Sequence, residues 1–303
     1  MSVSVREEEE KTVTTRASVL VTGATGNTGS RVAARLSGLG HAVTRASRRP
    51  AGTAAGAREV RFDWYDAETY GPALRGVDRT YLVPPIGDPE PAAVMLPFLE
   101  QALAAGVRRV VLLSSSAIPV GGPGVGRVHE VLADGLFGEW AVLRPSWFMQ
   151  NFTGRHPHAE SIRKEGAVSS ATGSGRVGFV DADDIAEVAV RALTDVESPD
   201  TDLVITGPQA LSYDEVAAVM AEVTGRPVAH RQLTYEQMRD RLAAEGLPEE
   251  FAAMLAGMDR AIADGAENRV TGTVERMTGR PARTFRAHAE SAFGAEPGCM
   301  PEA

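Results

Sequence analysis

Ser18–Val21 is a short apolar run that stops at Thr22-Gly23. Three glycines, Gly23, Gly26 and Gly29, then carry the chain into a segment with Val32, Leu36 and Leu39 at helical spacing. No other pattern in the 303 residues constrains the fold as tightly. Gly23 permits a tight turn, Gly26 lets the backbone approach a pyrophosphate, and Gly29 lets the helix pack close to the strand. The helix start offers free amides and the positive end of its dipole to phosphate. Gly23, Thr25, Gly26, Asn27, Thr28 and Gly29 are therefore the candidate phosphate-binding residues for a dinucleotide.

The rest of the first half repeats the rhythm. Short apolar runs at 41–46, 58–62, 79–83, 109–113 and 140–143 alternate with helical segments at 66–74, 91–105 and 127–136. This alternation predicts an α/β protein, a Rossmann-type doubly wound parallel sheet whose first strand–helix turn binds ligand. After Asn151 the rhythm loosens. Asp181–Thr194 reads as a helix opened by acids, and Asp202–Thr206 as a strand. Ser212–Thr224 reads as a helix with Ser212 and Glu215 placed for a capping box, and 235–245 and 249–264 as further helices. Residues 17–152 are expected to form the nucleotide-binding domain, with 177–206 returning to it. Residues 153–303 are expected to be mainly a smaller, mostly helical C-terminal substrate cap.

The end of the second strand reports on the cofactor. An acid about 20 residues after the glycines would hold the ribose hydroxyls of NAD. Here that window reads Arg45-Ala-Ser47-Arg48-Arg49, with no acid. Arg45, Ser47 and Arg48 suit a ribose 2′-phosphate, so NADP(H) is the expected cofactor. Asp63, after the third strand, is placed to touch the adenine. Pro84, Ser114 and Pro145 sit at the ends of the fourth, fifth and sixth strands, along the same edge.

Short-chain reductases commonly set a tyrosine four residues before a lysine, so that the lysine lowers the phenol pKa. The five tyrosines are Tyr65, Tyr70, Tyr81, Tyr213 and Tyr235, and Thr69, Leu74, Pro85, Ala217 and Arg239 stand four residues on. The chain has two lysines, Lys11 and Lys164, and neither completes a pair. Candidate catalytic residues must come from elsewhere. His129 is a possible proton donor, and Ser115 ends the fifth strand. Trp147 and Asn151 lie in an aromatic and amide-rich stretch that also holds Gln150. Phe148 reads as core packing between sheet and cap.

Other classes fall away. Thirty-one basic against forty acidic side chains argue against a nucleic-acid partner. The single cysteine, Cys299, excludes an intrachain disulfide and a cysteine metal cluster, and fits a cytoplasmic home. His156 and His158 without a defined third ligand do not make a metal site, and no metal is expected. No apolar run has the ~18 residues needed to span a membrane. Residues 1–16, with Glu7–Glu10 and no apolar core, read as a disordered lead-in and not a signal peptide. Gly173–Gly178 is not a P-loop, because Phe179 follows it.

Three stretches carry a resemblance. They are Val21–Gly29, Leu143–Phe152 (Leu-Arg-Pro-Ser-Trp-Phe-Met-Gln-Asn-Phe) and Phe179–Ala186 (Phe-Val-Asp-Ala-Asp-Asp-Ile-Ala). Over about residues 17–290 the chain resembles the NmrA-like group of atypical short-chain dehydrogenases/reductases, close to bacterial proteins related to the ergot-alkaloid (festuclavine-type) reductases. The resemblance implies NADP(H) bound at the glycine loop and at the loop matching Arg45 to Arg48. It also implies reduction of quinones, enones or iminium ions in secondary metabolism, cofactor sensing without turnover, or a non-redox tailoring step. Reduction of an iminium ion needs hydride but no proton, which suits a chain lacking the Tyr/Lys pair. The expected function is an NADPH-dependent reductase of a C=N or conjugated C=C/quinone bond in a small molecule, flat and apolar or cationic. A redox sensor and a non-redox enzyme are the alternatives, and the oligomeric state is left open.

Overall fold

A computed structural model describes residues 16–50 and 57–294. The expectations for the lead-in up to residue 15, for most of the loop at 50–57 and for Cys299 lie outside them. The chain builds β1 (Ser18–Val21), α1 (Asn27–Gly38), β2 (Ala42–Ser47), β3 (Arg58–Arg61), α2 (Tyr70–Leu74), β4 (Arg79–Leu82), α3 (Ala92–Ala104), β5 (Arg109–Leu113), α4 (Gly126–Ala133) and β6 (Glu139–Pro145). It continues through α5 (Pro157–Glu165), β7 (Ala167–Ser170), β8 (Arg176–Val177), α6 (Ala182–Thr194) and β9 (Thr201–Ile205). The last elements are β10 (Leu211–Ser212), α7 (Tyr213–Thr224), β11 (Ala229–Gln232), α8 (Tyr235–Ala244), α9 (Glu249–Ala263), α10 (Thr273–Thr278) and α11 (Phe285–Phe293).

Seven strands form one parallel sheet in the order β3-β2-β1-β4-β5-β6-β9. The strands are apolar on both faces because both are covered. Val19, Val21, Val111 and Leu143 pack under α1 and α6. Leu20, Leu82, Val110 and Val142 pack under α2, α3 and α4. The order reverses between β1 and β4, which opens a crevice at the carboxyl ends of the strands. β6 runs two residues past the expected Leu143, because Arg144 and Pro145 pair with Val204 and Ile205 of β9.

The cap is less regular. β7 pairs with β11 and β8 with β10. The expected capping box of Ser212 and Glu215 closes the start of α7, and Gly225 ends it in the left-handed region. An aromatic cluster of Phe152, Phe179, Tyr213 and Phe285 fills its centre. His158 stacks on Phe152 at 5.5 Å, and burial pushes its pKa down to about 3, so it behaves as a neutral core ring. The cap also contains elements absent from the sequence reading: α5, β7, β8, β10, β11, α10 and α11. Of these, α10 packs on α6 and β9, against the sheet. Among the described residues, no helix is long and apolar enough to cross a membrane, and no group of three or more His, Cys, Asp or Glu could hold a metal.

One cap carboxylate works against folding at neutral pH. Asp259 is buried on α9 and accepts one hydrogen bond, from the Ala171 amide at 2.8 Å. Burial raises its pKa from 3.8 to about 6. The unfolded chain releases this proton at lower pH than the folded one, so stability present below pH ~4 is lost as pH rises through about 6. A rise of this size corresponds to about 2–3 kcal/mol. Asp259→Asn keeps an acceptor for Ala171. It should raise the Tm at pH 7.5 and flatten the Tm decline between pH 4 and 7. Calorimetry checks this, and an unchanged pH profile would refute it.

Candidate cofactor and substrate cleft

A cleft of about 600 Å³ lies where the strand order reverses, walled by the loops after β1, β2, β3, β4, β5 and β6. Gly23, Thr25, Gly26, Asn27, Thr28 and Gly29 form one side. Gly23 sits at φ +58°, and its carbonyl accepts from the Gly26 amide at 2.8 Å. A Cβ on Gly29 would stand 2.3 Å from that carbonyl, so only glycine allows this packing. No side chain caps α1, whose N-cap is Gly26, and its first turn holds no acid. The uncapped amides and the dipole fit an anionic pyrophosphate.

Next to this turn, Ser47 and Arg48 line the cleft and, with Thr25 and Arg49, an adjoining hollow of about 380 Å³. Asp63, Trp64 and Tyr65 follow on the β3 side. The Tyr65 hydroxyl donates to Asp88 at 2.7 Å, tying the loops after β3 and β4 together, and Pro84 lies beside them.

The opposite end has a different chemistry. Leu113, Ile118, Val125 and Phe148 supply apolar walls, and Ser114 and Ser115 supply hydroxyls. The Ser114 Oγ is buried and has no hydrogen-bond partner in the protein, which leaves it for a bound molecule. None of these six side chains is ionisable at neutral pH.

Five expected site residues are not among the walls. The Arg45 guanidinium lies below the turn, donating to the Ala24 carbonyl at 3.4 Å and standing 4.0 Å from Glu59. Pro145 is buried in β6, where its carbonyl accepts from Ser116. His129 lies on the buried face of α4, 1% exposed, with its ring 6.2 Å from Trp140. Burial lowers its pKa and its Nδ1 has no partner, so it is a neutral packed ring outside the cleft. Trp147 packs on the cap cluster. Asn151 lies in the 3₁₀ turn Met149–Phe152. Trp147 and Phe148 exchange their expected places: the strand-like segment here pairs Phe148 with Val180, and alternation sends neighbouring side chains to opposite faces. Gln150 is structural, donating to Asp181 at 2.8 Å and accepting from the Ala182 amide at 3.0 Å.

Known proteins agree with this geometry. A family model described as NAD(P)H-binding matches residues 23–136, and one described as the NmrA-like family matches residues 140–286. The oxidoreductase YesF of Bacillus subtilis is 45% identical over 267 residues, 88% of this chain and 92% of its own. The chain belongs to the NmrA-like family of atypical short-chain dehydrogenases/reductases. Another relative, festuclavine synthase I of Penicillium roqueforti, is 37% identical over 290 residues, 90% of this chain and 97% of its own. Among solved structures, an NADPH-dependent quinone oxidoreductase from Escherichia coli, complexed with NADPH, superposes with a TM-score of 0.78 at 24% identity, covering 91% of this chain and 99% of that one. This last likeness is one of fold.

Within this NmrA-like protein, Arg48→Glu should weaken NADPH binding roughly 10- to 100-fold and leave NADH binding little changed, since a charge-assisted contact contributes ~1.5–3 kcal/mol. Titration of both nucleotides by fluorescence checks this. Equal losses for the two would refute the phosphate role.

Proposed function

We propose that this protein is an NADPH-dependent reductase of a C=N or conjugated C=C/quinone bond in a small, flat, apolar molecule. One observation carries the reading. A single cleft joins an anion-binding turn and an arginine-lined hollow to an apolar end where Ser114 and Ser115 are the polar groups. Gly23–Gly29 would hold the pyrophosphate, Ser47, Arg48 and Arg49 a 2′-phosphate, Asp63 the adenine, and Ser114 the ribose or the substrate. Bound there, a reduced nicotinamide supplies a hydride.

The chain's own residues then decide what can accept it. With no Arg or Lys at the apolar end, a carboxylate or phosphate on the substrate would have no partner there. With no Asp or Glu there, a localised cation would also be poorly held. A neutral ring system, or a cation delocalised over one that can stack on Phe148, fits best. Proton supply at this end is weak. Burial pushes the Tyr81 phenol well up and holds His129 down in its neutral form outside the cleft. An iminium carbon that takes a hydride leaves a neutral amine and needs no proton. An enone or quinone needs one in addition, and the Ser115 hydroxyl or a water it holds is the group placed to pass it. The relative named festuclavine synthase and the quinone oxidoreductase fold support this range. The cytoplasmic setting expected from the single cysteine belongs to the same proposal.

NADPH oxidation should be measured with a panel of imines, enones and quinones. Phe148→Ala should raise KM for the acceptor about tenfold, with NADPH affinity kept within twofold. His129→Ala should lower kcat by less than tenfold, below the ~10²–10⁴-fold of a lost general acid. If no member of the panel oxidises NADPH although NADPH binds, the reductase reading gives way to a cofactor sensor or a non-redox enzyme.

A further inference from the structure

The chain between α9 and α10 crosses the carboxyl ends of three neighbouring strands. Glu267 is 3% exposed, and its Oε2 accepts from Ser116 Oγ at 2.7 Å, just after β5, and from Ser146 Oγ at 3.5 Å, just after β6. Arg269 donates through Nη2 to the Ser116 carbonyl at 3.1 Å and to Glu267 Oε1 at 3.5 Å. Thr271 reaches β9: its Oγ1 donates to the Val204 carbonyl and its amide to Thr206 Oγ1, both at 2.8 Å. A Cβ on Gly178 would lie 2.6 Å from the Arg269 carbonyl, so the segment is pressed onto the sheet edge. From below, Arg144 donates to the Ser115 and Ser116 carbonyls at 3.5 and 3.2 Å while it pairs with Asp202 at 2.6 Å.

Two guanidiniums thus converge on the Ser116 carbonyl, and two carboxylates balance them. Burying four charges is a poor way to gain stability, because their desolvation offsets most of their attraction. It is an effective way to fix one backbone geometry. The backbone fixed here carries Ser114 and Ser115 on its cleft side and Ser116 on the strap side.

We propose that residues 265–272 form a positioning strap, in which Glu267 with Arg269 and Arg144 sets the Ser114–Ser116 bend so that the two cleft hydroxyls meet the bound substrate in register. Glu267 is a positioning residue here and touches no reactant. The catalytic part of this inference rests on the reductase reading above. Displacing a reacting group by about 1 Å can cost 10²-fold in rate. Glu267→Ala and Ser116→Ala should therefore each lower kcat about 10- to 100-fold, with acceptor KM and NADPH affinity within threefold. The double variant should be no worse than the worse single one, since both remove the same contact. Glu267→Gln, which still accepts from Ser116, should recover most of kcat. Leu193→Ala, buried at the opposite edge of the sheet, should lower the Tm at least as much and leave kcat within twofold. Hydrogen exchange gives a readout independent of turnover. In Ser116→Ala the amides of residues 114–118 should exchange faster while those of 23–29 do not change. Unchanged exchange at 114–118, or a kcat loss no greater than that of Leu193→Ala, would overturn the strap. If the parent turns over no acceptor, the reductase reading fails, and exchange alone judges whether the strap holds the bend.

Discussion

The contact between Gly29 and the Gly23 carbonyl is the constraint on which the rest depends. A hypothetical Cβ at residue 29 lies 2.3 Å from that oxygen, closer than any side chain allows. The closeness brings the start of α1 down onto the end of β1. It aims the uncapped first turn across the sheet edge and leaves room between the loops after β1 and β4. With the dipole end fixed, one end of the cleft favours negative charge. The other end is assembled from β5, β6 and α4 and is apolar by composition. A ligand that satisfies both must carry phosphates on one side and a flat, uncharged partner on the other.

Much of this was legible in the sequence, because the signals were local. The glycine spacing, the alternating apolar runs and the capping box at Ser212 each depend on residues a few positions apart, and each marks an element that the structure contains. Arg48 and Ser47 were legible for the same reason, as they follow the second strand directly. The short cap strands were not. Ala229–Gln232 is largely exposed and polar, and its strand character comes from pairing with Ala167–Ser170, more than fifty residues away.

The errors inside the site have a common physical origin. Which face of an element looks into a cleft depends on register, and a shift of one residue reverses it. Trp147 and Phe148 were exchanged in this way, since the pairing of Phe148 with Val180 sets their directions. His129 was placed at the right helix and on the wrong face, where Trp140 covers it. Arg45 belongs to β2, and its head turns back to the Ala24 carbonyl. Glu267 carried no signal at all. Its partners, Ser116 and Ser146, lie over a hundred positions earlier, and an isolated Glu in a polar linker reads as solvated. The alternation of Leu113 with the serines that follow was the cue that placed Ser114 and Ser115 at the cleft.

The central claim is that hydride leaves a nicotinamide bound in this cleft and arrives on carbon at its apolar end. Transfer of label tests it most directly. The protein would be given NADPH deuterated at the reactive C4 position, together with a cyclic imine or an enone, and the product carbon examined by NMR. Deuterium on the former C=N or C=C carbon, one atom per NADPH consumed, is the result this account expects. Tight NADPH binding with no deuterium on carbon from any acceptor would contradict it.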